Sequence, residues 1–337
     1  MPQSVGPLSA TKSAATDLAR FSPRDDSLFV EAAWLYYHDG LNQNEIATRM
    51  RISRASVVNY LNEARARDWV RVHLDSDVFQ GHRLAAELCA VYGLTEALVV
   101  PDDPVDRDGA AASVARVTRA AADWLPRLLE PGDILGVSWG ATVYQMAQQV
   151  PHTPVQDLTV VQLLGSRPAA PGFEAEACTS MLAHRLDGQC INLHVPLVLS
   201  NESLRDALCD EPVVHDQLAA LATCNKTVLA CGTCDGDAHV VRSGILSADS
   251  IAAYRDKGAA GVICGRLIDA EGHPVYADVE KRMIGVSLDQ MREKEMALLV
   301  AAGPGRARPA QAAIKGGFVT HLATSTRVAK DLLEIKT

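Results

Sequence analysis

From Glu96 onward the chain alternates short apolar runs with stretches of helical spacing, and this alternation limits the folds open to it. The apolar runs are Ala97–Val100, Asp133–Ser138, Leu158–Leu163, Cys190–Val195, Thr227–Gly232, Gly261–Gly265, Ala297–Ala301 and Val319–Ala323. Helical patterns over Ala110–Leu129, Thr142–Val150, Glu174–Leu186, Ser203–Leu221 and Ala248–Lys257 lie between most of them. Short runs that are apolar throughout suit strands buried on both faces, and parallel strands need a crossover helix between them. The pattern predicts a large α/β domain over residues 96–337, with a doubly wound, Rossmann-like, mostly parallel sheet.

The N-terminal part has a different character. Residues 1–26 carry Pro2, Gly6, Pro7 and Pro23 among many Ser, Thr and Ala, and predict a flexible tail. The whole chain has 32 Lys and Arg against 41 Asp and Glu, a net charge of −9. Between Leu41 and Val72, however, Arg49, Arg51, Arg54, Arg65, Arg67 and Arg71 face only Glu45, Glu63 and Asp68. Overall acidity argues against a chain coated for non-specific nucleic-acid binding, while this one basic segment leaves room for a small DNA-reading module. No stretch approaches the ~20 apolar residues of a membrane helix. Leu8–Arg20 lacks the apolar centre of a secretory signal, so a cytoplasmic protein with free cysteines is expected.

Residues 27–76 read as a small all-α, winged helix-turn-helix domain. Leu28, Phe29, Ala32, Ala33, Tyr36 and Tyr37 recur at helical spacing, and Asp39-Gly40 supplies a left-handed stop. Asn42 is placed to cap a helix over Gln43–Met50, and Ser53 a third helix over Arg54–Arg67. Ile46, Ala47, Met50, Ile52, Val57 and Leu61 are spaced to share one core. Gln43, Ser53, Arg54, Ala55, Ser56, Asn59 and Asn62 then form the candidate DNA face. Short or fork-shaped hydrogen-bonding groups near a helix N-terminus can read base edges while their neighbours meet phosphates. The alternation Val70–Leu74 predicts a small wing, and residues 77–95 a linker helix.

In the large domain, an apolar strand runs into Ser138, Trp139, Gly140, Ala141 and Thr142 as a helix begins. Ligands of parallel α/β sheets sit beyond the carboxyl ends of strands, and a helix start with hydroxyls suits a phosphate. Gly140 allows close backbone approach. Similar strand ends supply Gln162 and Gly165, then Gly232, Thr233 and Asp235. The late loop Gly303–Arg308 adds Arg306, whose guanidinium can take a phosphate bidentately.

These residues carry a resemblance. Over about residues 27–335 the chain resembles the SorC family of sugar-responsive transcription regulators. The likeness rests on ordered pieces: Gln43–Arg65, Gly136–Thr142, Val161–Ser166, Val195–Val198, Gly258–Gly261, Ile268–Gly272 and Arg282–Ser287. It implies an N-terminal DNA-binding domain and an effector domain related to sugar-phosphate isomerases and deaminases. It also implies a homodimer or homotetramer controlling a catabolic operon, with Ser138–Thr142 cradling a phosphate and a basic residue at Arg306 assisting. There are departures. Lys is usual where Arg306 stands, an acidic residue is usual where Val262 follows Gly261, and a Thr-Asp pair is replaced by Thr324-Ser325. These departures leave a sugar, a polyol or a sugar phosphate open as effector.

Two other readings exist. An isomerase-like enzyme needs a general base, for which Asp235, Asp237 and Glu280 are candidates, but none lies in a catalytic motif. A thiol or metal sensor would use Cys231 and Cys234, a lone C-x-x-C that packing explains as well. His239, two residues beyond Asp237, also reads as a packing residue. The expectation is a non-enzymatic regulator with operator DNA and a small carbohydrate-derived effector as partners, and with no cofactor, metal or membrane.

Overall fold

The computed structural model describes residues 23–70, 72, 75–80, 82–102, 111–166 and 175–335. The chain forms two compact units, Met1–His73 and Leu74–Thr337.

The small unit holds α1 (Pro23–Tyr37), α2 (Gln43–Met50) and α3 (Arg54–Ala66). Ala32, Ala33, Leu35, Ile46, Val57, Leu61 and Ala64 are buried together, with Ala47, Met50 and Ile52 packed against them. The core expected from spacing is therefore present. α1 begins inside the expected tail. Pro23 suits a first helical turn, and Asp26 reaches Arg67 Nη1 at 2.7 Å. The expected wing falls on Val70–Leu74, of which Arg71, His73 and Leu74 lie outside the described residues.

In the large unit the strands are β1 (Glu96–Val100), β2 (Ile134–Val137), β3 (Thr159–Gln162), β4 (Gln189–Ile191), β5 (Lys226–Leu229), β6 (Cys231–Gly232), β7 (Gly261–Ile263), β8 (Arg266–Ile268), β9 (Pro274–Val275), β10 (Met296–Ala301) and β11 (His321–Ser325). Seven form a sheet in the order β1-β11-β10-β5-β2-β3-β4, and every pairing in it is parallel. Alternate residues feed two cores. Leu98, Val100, Leu298 and Val300 pack with the helices Ala111–Trp124, Ala141–Gln149 and Ala175–Leu186. Ala97, Val99, Leu299 and Ala301 pack on the other face with Arg83–Tyr92, Ala307–Lys315 and Thr326–Glu334. Helices thus cover both faces, the doubly wound arrangement expected from the sequence.

Three details differ from the sequence reading. Thr227–Gly232 breaks into β5 and β6, because β6 leaves the parallel sheet for a second, antiparallel one ordered β6-β7-β8-β9. Ser203–Leu221 is two helices, Glu202–Cys209 and Pro212–Thr223, with Pro212 starting the second. The linker expected over 77–95 is two helices, Ser76–Gln80 and Arg83–Tyr92. Leu84, Ala85 and Leu88 of the latter are buried in the large unit, and Tyr92 Oη donates to the Leu332 carbonyl at 2.5 Å.

The topology makes one crevice. β2 leads outward to β3 and β4, whereas β5 leads the other way, to β10, β11 and β1. Loops leaving two adjacent parallel strands in opposite directions open a gap at their carboxyl ends.

Candidate functional site

On the small unit, Asn42 Oδ1 accepts from the Asn44 and Glu45 amides at 3.0 and 3.1 Å. Glu45 Oε2 accepts from the Asn42 amide at 2.7 Å, completing a reciprocal cap on α2. Ser53 Oγ accepts from the Ser56 amide at 3.0 Å and caps α3. Arg54, Ala55, Asn59 and Asn62 are exposed, while Ser56 and Gln43 are half-buried. Arg54 Nε donates to Gln43 Oε1 at 3.3 Å, which joins the starts of α2 and α3 into one polar surface.

Not every arginine of the basic segment belongs to that surface. Arg67 is tied to Glu63 and Asp26, each at 2.7 Å, and lies 5.0 Å from the Phe29 and Trp69 ring centres. Arg65 Nε donates to Tyr37 Oη at 2.5 Å. Arg49, Arg51 and Arg54 are exposed and make no ion pair among the described residues. Arg54→Ala is expected to weaken specific operator binding by about 1–3 kcal/mol, and random DNA much less. Gel-shift titrations on operator and scrambled duplexes check this. An equal loss on both would make Arg54 a phosphate contact.

The crevice on the large unit is lined from the ends of β2, β5 and β10 and from the second sheet. Ser138, Trp139, Gly140, Ala141 and Thr142 form its β2 side. Gly140 stands at the start of the helix Ala141–Gln149 with φ +130°, and a Cβ there would meet nothing within 4 Å. The loop therefore needs glycine for its backbone and leaves open space above it. No side chain caps this helix. Ser138 is buried, and its Oγ has no hydrogen-bond partner among the described residues. A buried hydroxyl without a partner is costly, so one inside a crevice marks a place where a ligand atom completes the bonding.

Opposite stand Gly232 and Arg306. Arg306 Nη1 donates to the Cys231 carbonyl at 3.1 Å, and the guanidinium makes no ion pair among the described residues. Sequence reasoning missed His239 and Arg242, which line the crevice from the short helix His239–Arg242. His239 packs, as expected, and also lines the crevice. Its ring lies 4.7 Å from that of Trp139, edge to face, and its Nε2 is buried without a partner among the described residues. Burial first, then Arg242 and Arg306, hold its pKa below the ordinary histidine value, so it is neutral at pH 7. A four-residue helix carries no periodicity that a sequence scan can detect.

Four expected residues lie elsewhere. Gln162 is buried beneath the crevice, where its amide donates to the Leu164 carbonyl (2.5 Å) and accepts from the Leu193 amide (3.2 Å). Its bonding capacity is spent on holding two loops. Gly165 is a close-approach glycine, since a Cβ there would sit 2.8 Å from Leu197 Cα. Thr233 and Asp235 do not line the crevice, and Asp235 is exposed. Arg308 is exposed on the helix Ala307–Lys315 and is also absent from the lining.

The departures noted in the sequence fall at two kinds of place. Val262 lines the crevice. Thr324 and Ser325 do structural work: Thr324 Oγ1 donates to the Ala301 carbonyl at 2.7 Å, and Ser325 caps the last helix. Burial pushes the Cys231 and Cys234 thiols up to about 11, which leaves them protonated. Among the described residues no group of His, Cys, Asp and Glu is arranged to hold a metal ion, and no helix is long and apolar enough to cross a membrane.

Comparison with known proteins agrees with this architecture. The Sugar-bind family model, a sugar-binding domain, matches residues 76–334. The transcriptional regulator YjhU of Escherichia coli (strain K12) is 36% identical, over 92% of this chain and 95% of its own length. The deoxyribonucleoside regulator of Bacillus subtilis (strain 168) is 29% identical, over 91% of this chain and 97% of its own. In fold, the full-length sorbitol operon regulator SorC from Klebsiella pneumoniae superposes with a TM-score of 0.72 at 23% identity, covering 92% of this chain and 99% of that one. A helix-turn-helix unit and a sugar-binding unit follow one another in a chain that matches these regulators nearly end to end, and the chain belongs to the SorC family of sugar-binding transcriptional regulators.

Proposed function

We propose that the large unit binds a phosphorylated carbohydrate in the crevice between the ends of β2 and β5, and that this controls operator binding by the α3 surface. The observation that carries the reading is the pairing of an unpartnered buried hydroxyl, Ser138, and an uncapped helix start with guanidiniums opposite. Among the described residues no carboxylate lines the crevice, so the charge they give it favours an anion. Helix amides, the Ser138 and Thr142 hydroxyls and the Arg306 fork are the donor set a phosphate takes. Control follows by linkage: an effector that prefers one state of the protein changes operator affinity by its difference in affinity for the two states. Operators with two half-sites would be read by a homodimer or homotetramer in the cytoplasm. The names of relatives, a deoxyribonucleoside regulator and a sorbitol operon regulator, fit a carbohydrate or polyol catabolic operon.

A thermal-shift screen of sugars, polyols and their phosphates tests this, because a ligand of the folded state raises the midpoint by mass action. Phosphorylated compounds are expected to shift it, and Thr142→Val to blunt the shift by removing one donor without changing side-chain size. A shift by free sugars alone, or a normal response from Thr142→Val, counts against the crevice as a phosphate site.

A further inference from the structure

The crevice carries more positive charge than one phosphate requires. Arg306 and Arg242 both line it, and among the described residues no aspartate or glutamate lines it with them. His239 and Arg242 are three residues apart on one short helix and share a face. Arg242 is exposed, and its guanidinium makes no ion pair or hydrogen bond among the described residues. Sugar hydroxyls are donors that carboxylates commonly accept, yet the position after Gly261 is Val262 and the rest of this end is apolar: Leu164, Val240 and Ile245. The other polar group here is the neutral His239 imidazole, whose buried Nε2 has no partner among the described residues and can donate to the ligand in one tautomer. Such an end suits a ligand whose far group is itself an acceptor.

Building on the phosphate reading above, we propose that the effector is a phosphorylated sugar acid, with its phosphate between Ser138–Thr142 and Arg306 and its carboxylate on Arg242. A single guanidinium matches a planar carboxylate, taken bidentately, better than a second phosphate, which needs donors on three oxygens.

The test is calorimetric titration of the full chain with two matched pairs: 3-phosphoglycerate against glycerol 3-phosphate, and 6-phosphogluconate against sorbitol 6-phosphate. Fructose 1,6-bisphosphate serves as the two-phosphate probe. The acid is expected to bind at least about tenfold more tightly than its partner in one pair or both, and Arg242→Gln to erase that preference. Arg242 is exposed, so the variant keeps the fold, which its melting midpoint verifies. Phosphates that bind with no preference for the acid overturn this proposal and leave the phosphate site standing. Tighter binding of the bisphosphate than of either acid also overturns it. If none of the phosphorylated probes binds, the phosphate reading falls and this proposal falls with it.

Discussion

Arg306→Met is expected to cost a phosphorylated effector about 2–3 kcal/mol, roughly a 30- to 140-fold loss of affinity. The argument is one of charge and site. The guanidinium is half-buried, pairs with no carboxylate among the described residues, and is oriented by its bond to the Cys231 carbonyl. A ligand phosphate would give it a full counter-charge that no described residue lining the crevice supplies. Methionine keeps the length and apolar stem but removes every donor. Arg306→Lys places there the residue that the family resemblance leads one to expect. It keeps the charge and is expected to lose about 1 kcal/mol, because an ammonium cannot hold the Cys231 carbonyl and two phosphate oxygens in one plane. Titration with whichever phosphorylated compound raises the melting midpoint measures both variants. Equal affinity in wild type and Arg306→Met would place the phosphate elsewhere.

Asp133→Leu is expected to destabilise the large unit by about 3–5 kcal/mol. Lys226 Nζ lies 2.8 Å from Asp133 Oδ2 at the amino ends of β2 and β5, and both side chains are more than nine-tenths buried. Burial alone would raise the Asp133 carboxyl, but the Glu130 amide, Lys226 and Asn225 together hold it below its ordinary value. In the variant the ammonium keeps one bond, to the Leu128 carbonyl at 2.7 Å, and no counter-charge. Adding Lys226→Met should recover most of the loss, since an apolar pair of similar volume replaces an ion pair whose desolvation offsets much of its attraction. Urea unfolding of the wild type, the single variant and the double variant reads this directly. A single-variant cost below about 1 kcal/mol would mean that the ammonium escapes to water. The sign with pH follows. A depressed carboxyl pKa contributes stability that is present above the unfolded value near 4 and lost as pH falls through the folded one.

Much of this molecule is legible in local sequence because the signals are local. Asn42, Glu45 and Ser53 cap the helices they precede, and Ile46, Val57 and Leu61 bury where their spacing places them. Buried parallel strands announce themselves as unbroken apolar runs, so the α/β class and the Ser138–Thr142 loop can be read without coordinates. Gln162 shows the limit of that method. It ends a strand at the right end of the sheet, as a ligand residue would, but the neighbouring loops use up its amide.

What tertiary structure alone decided is which strand ends face one another. Strand order is set by long-range pairing, and no local pattern states that β2 lies beside β5, 91 residues away by the Ile134–Asn225 hydrogen bond. Only that neighbourhood brings the Ser138 loop opposite Arg306. The departure of β6 into a second sheet after a single residue, Ala230, is equally invisible, because one apolar run serves both sheets. That departure carries the chain to His239 and Arg242, and so determines the charge of the crevice. Periodicity and capping are properties of neighbours in sequence, whereas a binding site is a property of neighbours in space.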